Sequence, residues 1–192
     1  MESKMSIGRR EFLHSVLGAV LLTAVPSLVG TKSALAEEAL PSNLQNLSQM
    51  TVGEYLAVYD PEGYAQMSAD MRALVDSEPM FSRCGLSIER VENIGWVSLD
   101  AWAGVGSIGY SFTYTCSVAC SPLRALVTVT DPYGAPCYSM PHENIGGKKL
   151  SGSGTAGGLG SGAHSVVVTA YAPNPPIGVT SGYSQAYRTV YV

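Results

Sequence analysis

The chain has little charge and few general bases. Charged residues make up 14% of it, and histidine occurs three times, with only His142 and His164 following residue 36. A serine hydrolase needs an imidazole beside an activated hydroxyl, and no Gly-x-Ser-x-Gly elbow occurs. Glu89 and Glu92 are three apart in a strand-like stretch, so they point to opposite faces and make a poor acid–base pair. Asp131 opens a turn, where aspartate caps backbone amides. No calcium-loop spacing is present. Positive charge is also scarce. After residue 36 there are seven Lys and Arg against 13 Asp and Glu, a formal net charge of −6. Such a surface repels nucleic acid and anionic lipid, and no basic run with interleaved aromatics offsets it. No later stretch approaches the roughly 20 apolar residues of a membrane span.

One motif-like match is set aside on context. Gly152-Ser153-Gly154-Thr155-Ala156-Gly157 has the form G-x-G-x-x-G, which binds dinucleotide only where it follows a strand and opens a helix. Here Gly158-Leu159-Gly160-Ser161-Gly162 follows and cannot open a stable helix. The glycines read as turns and a bulged or edge strand. No cofactor and no catalytic residue is therefore expected.

The first 36 residues carry an address. Lys4, Arg9 and Arg10 give a positive start, an apolar run extends from Val16 to Val29, and Ala34-Leu35-Ala36 offers small residues for cleavage at Ala34 and Ala36. Gly8-Arg9-Arg10-Glu11-Phe12-Leu13-His14 resembles the twin-arginine signature, with Gly8 and His14 departing from it and Arg9, Arg10, Phe12 and Leu13 matching. The resemblance implies that the twin-arginine translocase exports folded cargo. The expected address is extracellular, cell-surface or periplasmic. The mature chain reads as soluble, with no cysteine after the cleavage site to carry a lipid.

Residues 37–49 are polar and read as a linker, and 50–82 as a short helical segment. Thr51-Val52-Gly53-Glu54 has the form of a capping box, and Asp60-Pro61 looks like a second helix start. Tyr64, Met67, Met71, Leu74 and Val75 fall on one helical stripe, suited to burial or to docking a partner, before Pro79 closes the segment.

From residue 83 the texture changes to strands. Tyr110–Val118 alternates large or apolar residues with Ser and Thr, so it buries one face and wets the other. Leu86–Val91, Leu123–Thr130, His164–Tyr171 and Ala186–Val192 are further candidates, with Cys137–Ser139 and Lys148–Gly154 weaker ones. Asp131–Gly134, Asn144–Gly147 and Pro173–Gly178 separate them as turns. The pattern predicts an all-β sandwich or barrel over 83–192.

Four cysteines follow the signal: Cys84, Cys116, Cys120 and Cys137. An even count in an exported chain favours disulfides, and three complete pairings are open. The alternative is zinc held by Cys116, Cys120, Cys137 and His142, which form two short-spaced pairs of soft ligands. Trp96, Trp102 and the tyrosines suit either core packing or contact with a glycan or a protein.

The run Leu159-x-x-Gly162-x-His164-x-Val166-x-Val168 resembles the late strands of bacterial immunoglobulin-like and fibronectin-type-III-like modules, with His164 where such modules usually have Tyr. The resemblance covers roughly 84–192 and implies an antiparallel immunoglobulin-like β-sandwich. It also implies that Leu86–Val91 runs antiparallel to Tyr110–Val118, which would place Cys84 near Cys116 or Cys120 as a bridge partner. His164 then reads as a packed, hydrogen-bonded core histidine. The expected function is a non-catalytic exported binding module whose loops contact an extracellular protein or glycan. The alternatives are a metal protein or enzyme built on the Cys/His cluster, and a structural accessory of a surface assembly whose edge strands pair with a partner.

Overall fold

The computed structural model describes residues 40–82, 95–176 and 182–192. The protein is an antiparallel β-sandwich preceded by short helices. Among the described residues seven strands follow in chain order: β1 (Gly95–Gly104), β2 (Ser107–Cys120), β3 (Leu123–Thr130), β4 (Pro136–Asn144), β5 (Gly147–Gly157), β6 (Ala163–Tyr171) and β7 (Tyr183–Tyr191). They form two sheets, β1-β2-β5 and β4-β3-β6-β7, all antiparallel. The turns at Asp131–Gly134 and Asn144–Gly147 lie where the sequence puts them, and the third, Pro173–Gly178, runs outside the described residues. Asp131 Oδ1 accepts from the Tyr133 and Ala135 amides at 2.9 and 2.8 Å, and Gly134 takes positive φ.

Between the sheets lies one core. Tyr110, Phe112, Tyr114 and Cys116 enter it from β2, Leu123, Ala125, Val127 and Val129 from β3, and Val166, Val168 and Ala170 from β6. His164 is buried as expected, with Nδ1 3.1 Å from the Thr130 carbonyl and Nε2 2.8 Å from that of Gly160. The strands paired with Tyr110–Thr115 are Gly95–Gly104 on one side and Gly147–Gly157 on the other. This differs from the expected pairing with Leu86–Val91, which lies outside the described residues. Arg188 Nε donates to the Leu99 carbonyl at 3.3 Å, tying β7 to β1 at one side of the sandwich.

A second core lies on the other face of the four-stranded sheet, under the helices. These are α1 (Gln45–Ser48), α2 (Val52–Tyr59), α3 (Pro61–Ala65) and α4 (Ala69–Ser77), with a 3-10 turn at Ser42–Leu44. Leu44, Val52, Tyr55, Leu56, Met67, Met71 and Val75 pack there against Leu126, Val167, Tyr171 and Tyr183. Every residue of β3 is buried, because both of its faces are covered. That explains its unbroken run Leu-Arg-Ala-Leu-Val-Thr-Val-Thr.

The helices start where the caps predict. Thr51 Oγ1 accepts from the Glu54 amide at 3.1 Å, and Glu54 Oε2 accepts from the Thr51 amide at 2.8 Å. Asp60 caps α3, with Pro61 at its first position. The stripe from Tyr64 to Val75 is split into two helices by a new cap: Ser68 Oγ accepts from the Met71 amide at 3.2 Å. Helices this short are marginal alone and depend on the face they bury.

The 37–49 linker reading needs correction within its described part. Residues 42–48 are helical, and Asn43, Leu44 and Leu47 are buried. Asn43 joins this segment to β6, donating to the Ala163 carbonyl at 3.1 Å and accepting from Ser165 Oγ at 3.0 Å. A polar side chain that makes these bonds belongs to the interior despite its polarity. No described helix is long and apolar enough to cross a membrane.

Candidate functional site

The outer face of β1-β2-β5 is the exposed side of the sandwich with the most distinctive chemistry. Side chains alternate across a strand, so the register fixes which residues share that face. Four rows result, each running from β1 through β2 to β5: Trp96–Thr115–Lys149, Ser98–Thr113–Ser151, Asp100–Ser111–Ser153 and Trp102–Gly109–Thr155. The middle rows line a shallow depression of about 340 Å³, with Ser98, Asp100, Ser111, Thr113, Ser151 and Ser153 around it. Thr113 Oγ1 and Ser151 Oγ are 3.1 Å apart, and Ser98 Oγ donates to the Thr113 carbonyl at 3.4 Å. Asp100 and Lys149 are the charged side chains in these rows.

Both tryptophans stand on this face, Trp96 46% and Trp102 53% exposed. The Trp102 indole rests on its cross-strand partner Gly109. A Cβ at 109 would lie 2.4 Å from its Cε2 and Nε1, so only glycine leaves room for the ring. The result is a hydroxyl-lined strip with an aromatic platform near each end of β1. Hydroxyls donate and accept, and an exposed indole offers an apolar face with one N–H donor.

β5, at the edge of this sheet, is shaped by the rings behind it. Gly152 and Gly154 pair with Phe112 and Tyr110. A Cβ at 152 would sit 2.6 Å from the Phe112 ring, and one at 154 would sit 2.4 Å from the Tyr110 hydroxyl. The G-x-G-x-x-G match is thus a strand that admits aromatic rings, and it opens no helix.

The proposed zinc ligands do not converge, and among the described residues no cluster of three or more His, Cys, Asp or Glu could hold a metal. Cys137 and His142 are five apart on β4, so they point to opposite faces. His142 turns into the sandwich, with Nε2 3.3 Å from the Tyr110 hydroxyl and its ring edge-on to Phe112 at 5.0 Å. Burial pushes its pKa below the usual histidine value. Cys137 is exposed, and its Sγ donates to the Val129 carbonyl at 3.3 Å.

Disulfides are likewise corrected among the described residues: Cys116, Cys120 and Cys137 are free thiols. Cys120 precedes the start of β3 at Leu123, whereas Cys137 lies beside Val129 at the other end. Leu123 to Val129 is about 20 Å of strand, far beyond disulfide reach. Cys116 and Cys120 flank a register shift near the end of β2, and both side chains belong to the core between the sheets. Cys84 falls outside the described residues, as do Arg9, Arg10, Phe12, Leu13, Ala34, Ala36, Glu89 and Glu92.

A buried ion pair ties the helices to the sheet. Arg124 Nη2 donates to Asp60 Oδ1 at 3.0 Å, Tyr171 donates its hydroxyl to Asp60 Oδ2 at 2.5 Å, and Arg124 Nη1 meets Glu143. Burial works against the Arg124 charge, and the Asp60 carboxylate outweighs it, raising the pKa. Gly63 has no room for a side chain: a Cβ there would lie 1.9 Å from the Tyr171 hydroxyl. With Arg124 and Asp60 each only 3% exposed, this cluster is closed to ligands and reads as a tether.

Sequence reasoning missed β1 and therefore the site. The signal was present. Trp96, Ser98, Asp100 and Trp102 alternate with Val97, Leu99, Ala101 and Ala103, the period of a strand with one wet face. Comparison with protein-family models and with curated proteins yields no match to the chain.

Proposed function

We propose that the protein is an exported, non-catalytic immunoglobulin-like module that binds a neutral glycan along β1. The carrying observation is the strip of hydroxyls between Trp96 and Trp102. Pyranose rings present C–H faces that stack on indole and hydroxyls that bond to Ser and Thr. The two platforms are six steps apart along the strand, about 20 Å, which suits a chain of several sugar units rather than a single ring. The near balance of charge on the face, Asp100 against Lys149, favours a neutral ligand. The twin-arginine-like segment supports export, and the strand order, with three strands facing four, supports the immunoglobulin-like reading.

This reading moves recognition from the loops to a sheet face. Its test is titration calorimetry against neutral linear oligosaccharides of increasing length. Affinity is expected to rise with length, and Trp102→Ala and Trp96→Ala are each expected to weaken it at least about tenfold, the loss of a dominant aromatic contact. Equal binding by wild type and both variants, or no binding to any oligosaccharide, sinks the reading.

A further inference from the structure

β2 is not a uniform strand. Along its pairing with β5, the five steps from Thr115 to Cys120 correspond to only two, from Lys149 to Gly147. The extra residues form a bulge, and bulges re-aim side chains. In a regular strand, residues four apart are separated by about 13 Å. Here Cys116 and Cys120 both turn into the core, 2% and 4% exposed, while Ser117 and Ala119 between them face solvent. The β5 partners of Thr115 and Cys120 are only two residues apart, about 7 Å of strand, so the bulge draws the Cys116 and Cys120 ends together. Cys120 Sγ donates to the Val118 carbonyl within the bulge at 3.7 Å.

We propose that Cys116 and Cys120 are a redox pair that closes across the bulge as an intrastrand disulfide when the protein meets an oxidising disulfide donor. The described state is the dithiol. Cys120 ends β2 beside the exposed Ser121, so it is the thiol first reached. Its thiolate attacks one sulfur of the donor disulfide, forming a mixed disulfide and expelling one donor thiol. The Cys116 thiolate then attacks Cys120 Sγ and expels the second. Two protein thiols lose two protons and two electrons, and the donor disulfide becomes two thiols. Burial pushes the Cys116 thiol up to about 11, so its thiolate is scarce at neutral pH and closure is faster in alkali.

The bond has a consequence for the face described above. Thr115, the last residue before the bulge, belongs to the row that carries Trp96 and Lys149. Fixing the bulge fixes that end of the strip. The proposal does not depend on what the strip binds.

The test is tryptic mapping of the full chain after incubation with oxidised glutathione and alkylation in denaturant. Cleavage after Arg83, Arg90, Arg124 and Lys148 separates Cys84 (residues 84–90) from Cys116 and Cys120 (91–124) and from Cys137 (125–148). The expected result is peptide 91–124 lighter by two hydrogens and unalkylated, with peptides 84–90 and 125–148 carrying alkylatable cysteine. Cys120→Ser should restore alkylation of Cys116, with circular dichroism confirming that the variant folds. Peptide 91–124 linked to 84–90, or alkylated at both cysteines after oxidation at alkaline pH, overturns the proposal.

Discussion

Outward from β2, Ser111, Thr113 and Thr115 meet solvent, while outward from β3, Arg124, Leu126 and Thr128 meet helices. Both strands present a large apolar set to the shared core. The difference lies wholly on their second faces. On β3 the second face holds Leu126 under the helices, Thr128 accepting from the Tyr55 hydroxyl at 2.6 Å, and the Arg124–Asp60 pair. On β2 it holds small hydroxyl side chains against which nothing in the described chain packs as a layer. The comparison teaches that a covered polar face is specified by partners aimed at named atoms, whereas an open one is specified by being small, hydroxylic and flanked by aromatics.

The comparison breaks most sharply at Asp60. Asp60→Ala leaves Arg124 charged and buried without its main partner and removes the α3 cap. The expected loss is about 3–5 kcal/mol of unfolding free energy, read by denaturant titration. A loss below about 1 kcal/mol would mean that water reaches the guanidinium and that the helices cover this face loosely. A smaller effect is expected from Thr51→Ala, which removes half of a capping box on the outer side of the helical layer. It should cost about 1 kcal/mol in the same titration. The smallest effect on stability is expected on the open face. Ser111→Ala and Thr113→Ala together should stay within about 0.5 kcal/mol of wild type, yet weaken oligosaccharide binding in calorimetry. A large stability loss there would show that the hydroxyls are structural.

Much of the fold was legible in the sequence, because it rests on local rules. The alternation in Tyr110–Cys116, the capping box at Thr51 and the turn at Asp131 each follow from one residue's geometry, and each stands where expected. What escaped depends on partners far away in the chain. Asn43 looks like linker until Ala163 and Ser165 are beside it. Cys137 and His142 look like a ligand pair until strand alternation sends them to opposite faces. The strip on β1 was hidden for a different reason. Trp and Val in alternation read as core from either side, and only the register with β2 and β5 decides which side is wet.

The glycines of β5 bear on how this chain can change. Gly152 and Gly154 are hollows cast around the Phe112 ring and the Tyr110 hydroxyl, so the plainness of the strand is the imprint of its neighbour. A methyl group at either hollow has to push an aromatic group back into a filled core, while a residue at 151, 153 or 155 projects into solvent without touching it. Variation along β5 is therefore free at every second position and blocked between. The surface chemistry of the strip can be rewritten there without disturbing the sandwich beneath it.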